Sequence, residues 1–256
     1  MVRNRDHGIQ SVNIREWRYF PAYVDEELLD YPSFIYRGHA AAHWVLEPTL
    51  DRILRTRGQL VRRTVRAKHL EAFQFAVRGR RGSNPPHVST ENDWWALGQH
   101  QGLATPLLDW THSPYVAAYF AYEEPRQAEH GDCGIYAIDT TSFEKRSRII
   151  ERQSSGPGRP FVVEFIRPLS DESASLVSQS GLFTRAPDGI HLEEWVRSSF
   201  PRKQEEVVFI KIVLPSKDRT TALRALNRMN INRLSLFPDL SGASRFCNLS
   251  LQIDKY

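Results

Sequence analysis

Two cysteines, two methionines and no long apolar run are what this chain has least of. Cys133 and Cys247 lie far apart and show no metal-ligand spacing, so a zinc site and a disulfide framework are both set aside, and buried thiols are expected. A membrane span needs about 20 consecutive apolar residues, and no stretch approaches that. The basic start MVRNRDHG lacks the apolar segment of a signal peptide, so a cytoplasmic protein without a membrane role is expected. Paired carboxylates or His/Asp clusters at spacings suited to two metals are also missing, which disfavours a metal-dependent phosphodiesterase. No metal is predicted, and there are no repeats or low-complexity tracts.

What is present is a core-forming composition. Of the 256 residues 41% are hydrophobic and 11% aromatic, enough for a sizeable interior, and 25% charge keeps the surface polar. The net charge of +4 is unevenly placed. Between Arg52 and Arg81 stand Arg52, Arg55, Arg57, Arg62, Arg63, Arg66, Lys68, Arg78, Arg80 and Arg81, with Glu71 as the single acid. This segment reads as largely helical, over about Gln59 to Val77. It suits an anionic partner, nucleic acid included, or else a solvated helix face balanced by acids elsewhere in the fold.

The stretch from Trp94 to Tyr122 organises the rest. Ser89 or Thr90 caps a helix carrying Trp94, Trp95 and Leu97 inward; Gln99 and His100 close it, and Gly102 follows as a left-handed cap. Ala104 to Trp110 reads as a strand delivering Asp109, Trp110 and Thr111 to its end. Ser113 and Pro114 then begin a helix at the N-cap and first helical positions. Its small-residue face, Val116, Ala117, Phe120 and Ala121, lets it lie close on a sheet. Asp109 is open to two readings, a chemical group at a strand-to-helix corner or a centre satisfying backbone and indole N–H groups.

Upstream, strands are expected at Ser11 to Ile14 and at Phe34 to Tyr36, with a short helix at Val24 to Leu29 between them. The second strand ends in Arg37-Gly38-His39. Arg37 is suited to gripping a phosphate or carboxylate, with Gly38 letting a ligand approach the backbone; an ion pair, to Asp109 among others, is the alternative. Downstream, Gly134 to Asp139, Phe161 to Ile166 and Val207 to Leu214 read as strands. Residues 151 to 160 read as linker, Ser173 to Ser178 as short helix, and Lys217 to Met229 as an amphipathic helix burying Leu223, Leu226 and Met229. Asp239 caps the last helix. Gln179 presents an amide to a ligand or caps a turn. Strands and helices in this order give a single α+β domain over 1–256, with a mixed, mostly antiparallel sheet flanked by helices.

Tyr36-Arg37-Gly38, His100-Gln101-Gly102-Leu103, Leu107-Leu108-Asp109-Trp110-Thr111, Ser113-Pro114, Tyr119-Phe120-Ala121, Gln179-Ser180-Gly181-Leu182-Phe183 and Phe237-Pro238-Asp239-Leu240 together resemble the FRG domain. This bacterial and phage family is named for the Phe-Arg-Gly ending its first strand. The resemblance runs over about 34–242. The family's motif order is in turn similar to that of ADP-ribosyltransferase-like folds, which implies a split sheet and NAD as substrate. It implies an effector or toxin of bacterial anti-phage defence, acting on a protein or nucleic-acid acceptor. On that likeness Arg37, His100, Asp109 and Gln179 are the catalytic set, and Arg37, Gly38, Thr111, Ser113 and Tyr119 the cofactor-binding set. The family pattern has arginines where this chain has Pro106 and Ser175, with Arg185 or Arg202 as replacements. The late catalytic glutamate is missing, and Glu193, Glu194, Glu205 or Glu206 is expected to supply its charge. The alternative is a non-catalytic sensor or adaptor that binds a nucleotide, nucleic acid or phage protein.

Overall fold

The computed structural model describes residues 4–124, 131–154, 159–167 and 182–256. Its strands are β1 (Asn4–Asp6), β2 (Ile9–Asn13), β3 (Phe34–His39), β4 (Leu108–Trp110), β5 (Cys133–Asp139), β6 (Glu164–Ile166), β7 (Leu182–Arg185) and β8 (Phe209–Leu214). The helices are α1 (Phe20–Glu27), α2 (Thr49–Leu54), α3 (Gln59–Ala76), α4 (Glu91–His100), α5 (Pro114–Glu123) and α6 (Thr140–Gln153), followed by α7 (Leu192–Ser199), α8 (Arg219–Arg228), α9 (Arg233–Leu236) and α10 (Leu240–Gln252).

The fold is α+β. One sheet has the order β1-β2-β8-β5-β3 and a second the order β4-β7-β6. All pairings are antiparallel except β2 with β8. The sheets meet at one bridge, where Tyr36 and Thr111 exchange backbone bonds of 2.7 and 2.9 Å.

Apolar residues on both faces of β3, β5 and β8 explain the central position of these strands. One face carries Tyr36, Ile135, Ala137, Ile210 and Ile212 and is covered by α1, α5, α8 and α10. The opposite face, with Ile35, Tyr136, Ile138 and Phe209, packs on Phe143 of α6 and Trp195 of α7, and on Leu108, Trp110 and Leu182 of the smaller sheet. Phe183 and Ile166 on the far side of the smaller sheet meet Leu50, Leu54, Leu70 and Trp95 of α2, α3 and α4.

A charged network stitches this smaller half. Arg66 pairs with Asp51 and, at 2.6 Å, with Asp188. Arg159 bonds Glu164 at 2.9 Å and the carbonyls of Arg185 and Ala186, while Arg185 bonds Asn92 at 2.7 Å and pairs with Glu91 at 2.9 Å. Arg66 and Arg185 are buried, so they need these partners.

Several expectations are corrected. Cys247 is exposed rather than buried. The strand at Phe161 shortens to Glu164–Ile166, and Met229 follows its helix at 49% exposure instead of packing. Residues 151–153 end α6, a helix the sequence did not announce, because only Phe143 and Ser147 are buried on its otherwise polar surface. The expected helix Ser173 to Ser178, Ser175 itself, and Gln179 to Gly181 lie outside the described residues.

Candidate functional site

A cleft of about 880 Å³ opens where the two sheets meet. It is lined by the end of β3 with the segment after it, the end of α4, strand β4, the outer turns of α5, and residues between α9 and α10. Strand alternation decides what β3 contributes. Ile35, Arg37 and His39 share the face turned to the smaller sheet, whereas Tyr36 and Gly38 face α5.

Arg37 donates from Nη1 to the Asp109 carbonyl at 2.9 Å and to Asp109 Oδ2 at 3.3 Å, and from Nε to His39 Nε2 at 3.1 Å. The same Oδ2 accepts from the Gln99 amide at 2.8 Å, and the Thr105 hydroxyl donates to Gln99 Oε1. Thr105 is fully buried, so a directional chain of hydrogen bonds fixes the Gln99 amide and the Asp109 carboxylate. Both donors use Oδ2, which leaves Oδ1 of Asp109 and Nη2 of Arg37 without a protein partner among the described residues. The Asp109 side chain is 54% exposed, so the ion pair sits at the cleft surface, not in the core.

His39 accepts a proton-bearing nitrogen at Nε2 and is therefore neutral, with its own proton on Nδ1. Burial pushes its pKa down to about 3, and the nearby cations Arg37 and Arg52 act in the same direction. Its Nδ1 is buried without a partner among the described residues. Burial likewise lowers the pKa of His100, which Asp109 and Asp239 oppose from either side.

At the other end, Glu123 forms an ion pair with Arg233, whose guanidinium lies 4.1 Å from the Phe237 ring centre. Phe237 meets Phe120 edge to face. Burial raises the pKa of Glu123 against the pull of Arg233 and Arg245. Successive neighbours thus run Arg52, His39, Arg37, Asp109, His100, Asp239 and then the Phe237, Arg233 and Glu123 group. The cleft is cationic where α2 meets β3, and where α5 meets α9 it is aromatic, with Glu123 and Arg233 neutralising each other.

Of the residues expected from sequence, Arg37, Gly38, His100, Asp109 and Thr111 line the cleft together. Gly38 is also required for packing. A Cβ there would stand 1.9 Å from the Ala117 carbonyl and 2.7 Å from the Ala121 nitrogen, so it is the point at which α5 lies on β3. Thr111 accepts from the Ser113 N–H at 3.2 Å.

Ser113 and Tyr119 do not line the cleft. The Ser113 hydroxyl caps α5 by accepting from the Val116 N–H at 3.2 Å, and Tyr119 is fully buried in the main core, its hydroxyl reaching Glu123 at 3.4 Å. Gln179 lies outside the described residues. The Trp110 indole donates to Thr184, and the Trp95 indole to Glu91, so neither serves Asp109.

Arg185 is committed to Glu91 and Asn92, Arg202 is exposed near Asp6, and neither lines the cleft. Arg52 and Arg233 take the place expected of them. Nor do Glu193, Glu194, Glu205 or Glu206; the glutamates there are Glu47, Glu123 and Glu124. Glu123 and Arg233 went unnoticed because each reads as a helix-end residue, and only the tertiary packing of α5 against α9 brings them together. Among the described residues no group of three or more His, Cys, Asp or Glu is placed to hold a metal ion, and no helix is long and apolar enough to cross a membrane.

Residues 32–130 match the FRG domain family model. The match spans Arg37, Arg52, Asp109 and Glu123, and it ends before Gln179 and Arg233. No curated protein and no solved structure matches the chain.

Proposed function

We propose that this FRG domain is an NAD-using enzyme of ADP-ribosyltransferase type, a defence effector whose substrate lies along the cleft. The observation that carries the reading is the cleft's polarity. NAD⁺ joins a pyrophosphate to a cationic pyridinium ring, and the lining offers Arg37 and Arg52 at one end and, at the other, Phe120 and Phe237 beside Arg233, whose charge Glu123 neutralises. A volume of about 880 Å³ is in the range of cofactor clefts.

In this reading Arg37 Nη2 and Arg52 receive the phosphates. Gln99 and Arg37 hold Asp109 so that Oδ1 meets a ribose hydroxyl or the developing positive charge on the sugar. Phe120 and Phe237 receive the cationic ring on an aromatic lining, and Glu123 keeps Arg233 beside them neutralised. When bound, NAD supplies a glycosidic bond whose electron pair leaves with nicotinamide. The acceptor's nucleophilic atom takes the sugar carbon and gives up its proton. His100, neutral by its depressed pKa, is the base best placed for that proton.

A second reading is favoured by one feature. Asp109 and Glu123 are each held in an ion pair, which suits a nucleotide sensor that binds without cleaving. Incubation of purified protein with NAD and a cell lysate separates the two. Free nicotinamide and ADP-ribose adducts found by mass spectrometry, and abolished by Arg37→Ala in a folded protein, establish the enzyme. NAD binding with no nicotinamide release establishes the sensor.

A further inference from the structure

Beside the cleft, the corner joining α2 to α3 gathers arginines. Arg52, Arg55, Arg57, Arg62 and Arg63 lie within twelve residues of chain. Arg62 folds back to donate to the carbonyl of Arg57 at 2.6 Å and to that of Arg55 at 2.5 Å, which fixes its guanidinium on the turn between the helices. The carboxylate in ion contact with this group is Glu47, 3.6 Å from Arg55, and its side chain is only 8% exposed. Arg66, the next arginine, is buried and faces inward to Asp51 and Asp188. Arg57 and Arg63 are exposed, with no ion pair among the described residues. The corner is therefore a solvated, arginine-rich patch with almost no compensating charge.

Its position matters as much as its charge. Arg52 belongs both to the corner and to the cleft lining, and Trp44 and Val45 line the same end. Trp44 is 38% exposed, an unusual place for an indole, with His39 and His43 edge to face around it. Guanidinium forks match phosphate oxygens bidentately, and an exposed aromatic plane beside them is a platform for an unstacked base. An acidic protein partner would use the charge but has no need of the indole.

We infer that this corner binds single-stranded nucleic acid, its phosphates on Arg55, Arg57 and Arg63 and a base stacked on Trp44 at the cleft mouth, with Arg52 left to the cleft. Binding stands on the corner alone; service of the strand as ADP-ribose acceptor rests on the NAD reading.

The test is fluorescence anisotropy of a labelled mixed-sequence single-stranded oligonucleotide with the full chain, without NAD, across a salt series. Failure of the NAD reading would leave this measurement untouched. Three phosphate contacts predict that log Kd rises with log salt at a slope of about 2, at roughly 0.7 per contact on a single strand. Arg57→Gln with Arg63→Gln lowers that slope by about 1.4. Trp44→Ala weakens binding about tenfold without changing the slope. Arg224→Gln with Arg228→Gln, cations on the exposed side of α8, leaves both unchanged. No binding at about 50 mM salt, equal losses in the α8 variant, or a slope unmoved by the corner variant overturns the inference. So does a duplex that binds as tightly and ignores Trp44→Ala.

Discussion

The five-stranded sheet is held by apolar residues on both faces of its inner strands, whereas the three-stranded sheet carries a lattice of arginines and carboxylates on its outer side. The first kind of packing is tolerant of detail but demands close approach. The second is directional, and each member depends on its partner, because a buried guanidinium left alone costs far more than the pair contributes. The cleft lies between the two. Arg37 comes from the apolar sheet and Asp109 from the charged one, so the site is a product of how the halves are joined.

That contrast can be broken at single positions. The largest effect is expected at Gly38→Ala, where the added methyl meets the backbone of α5 rather than a side chain able to turn away. Helix and sheet must separate, and a loss of at least about 3 kcal/mol is expected, read by urea unfolding. In the other half, Asp51→Ala strands the Arg66 guanidinium against Asp188 alone and is expected to cost about 3 kcal/mol. Hydrogen exchange distinguishes the two cases: Asp51→Ala speeds exchange in β6 and β7 before β3, β5 and β8, and Gly38→Ala loosens all of them.

A smaller effect tests the seam. Ser113→Ala removes the cap of α5 and is expected to cost about 1 kcal/mol with the cleft residues left in place. A separate effect concerns acid. The His39 pKa falls from 6.5 when unfolded to about 3 when folded, so between those values the unfolded chain takes up a proton that the folded one refuses. Its contribution to stability is complete above pH 6.5 and declines as the pH falls toward 3. His39→Gln, which keeps an acceptor for Arg37, is expected to flatten the dependence of the urea midpoint on pH in that window.

The sequence made the apolar half readable and the charged half obscure. Phe34 to Tyr36 and Val207 to Leu214 announce strands by continuous apolar runs, and Ser113-Pro114 announces a helix start. Strands β4 and β6 are announced over longer stretches, Ala104 to Trp110 and Phe161 to Ile166, but shorten to three residues each, β7 is not announced, and no local pattern reveals the bonds of Arg159 and Arg185 that tie β6, β7 and α4 together. The cleft divides in the same way. Arg37, His100, Asp109 and Thr111 sit at element ends within a recognisable motif run, and they do converge. Arg52, Glu123 and Arg233 come together only through packing, and His39 gains its meaning from the bond to Arg37.

The most direct measurement is the calorimetric affinity of the protein for NAD⁺ beside NADH, repeated with Arg37→Ala and with Glu123→Gln. A cleft that receives phosphates at Arg37 and a cationic ring on Phe120 and Phe237, with Arg233 neutralised by Glu123, predicts tighter binding of NAD⁺ than of NADH. Arg37→Ala should weaken both about tenfold or more, and Glu123→Gln should erase the preference. Equal affinity for the two nucleotides, or binding indifferent to Arg37, would contradict the account.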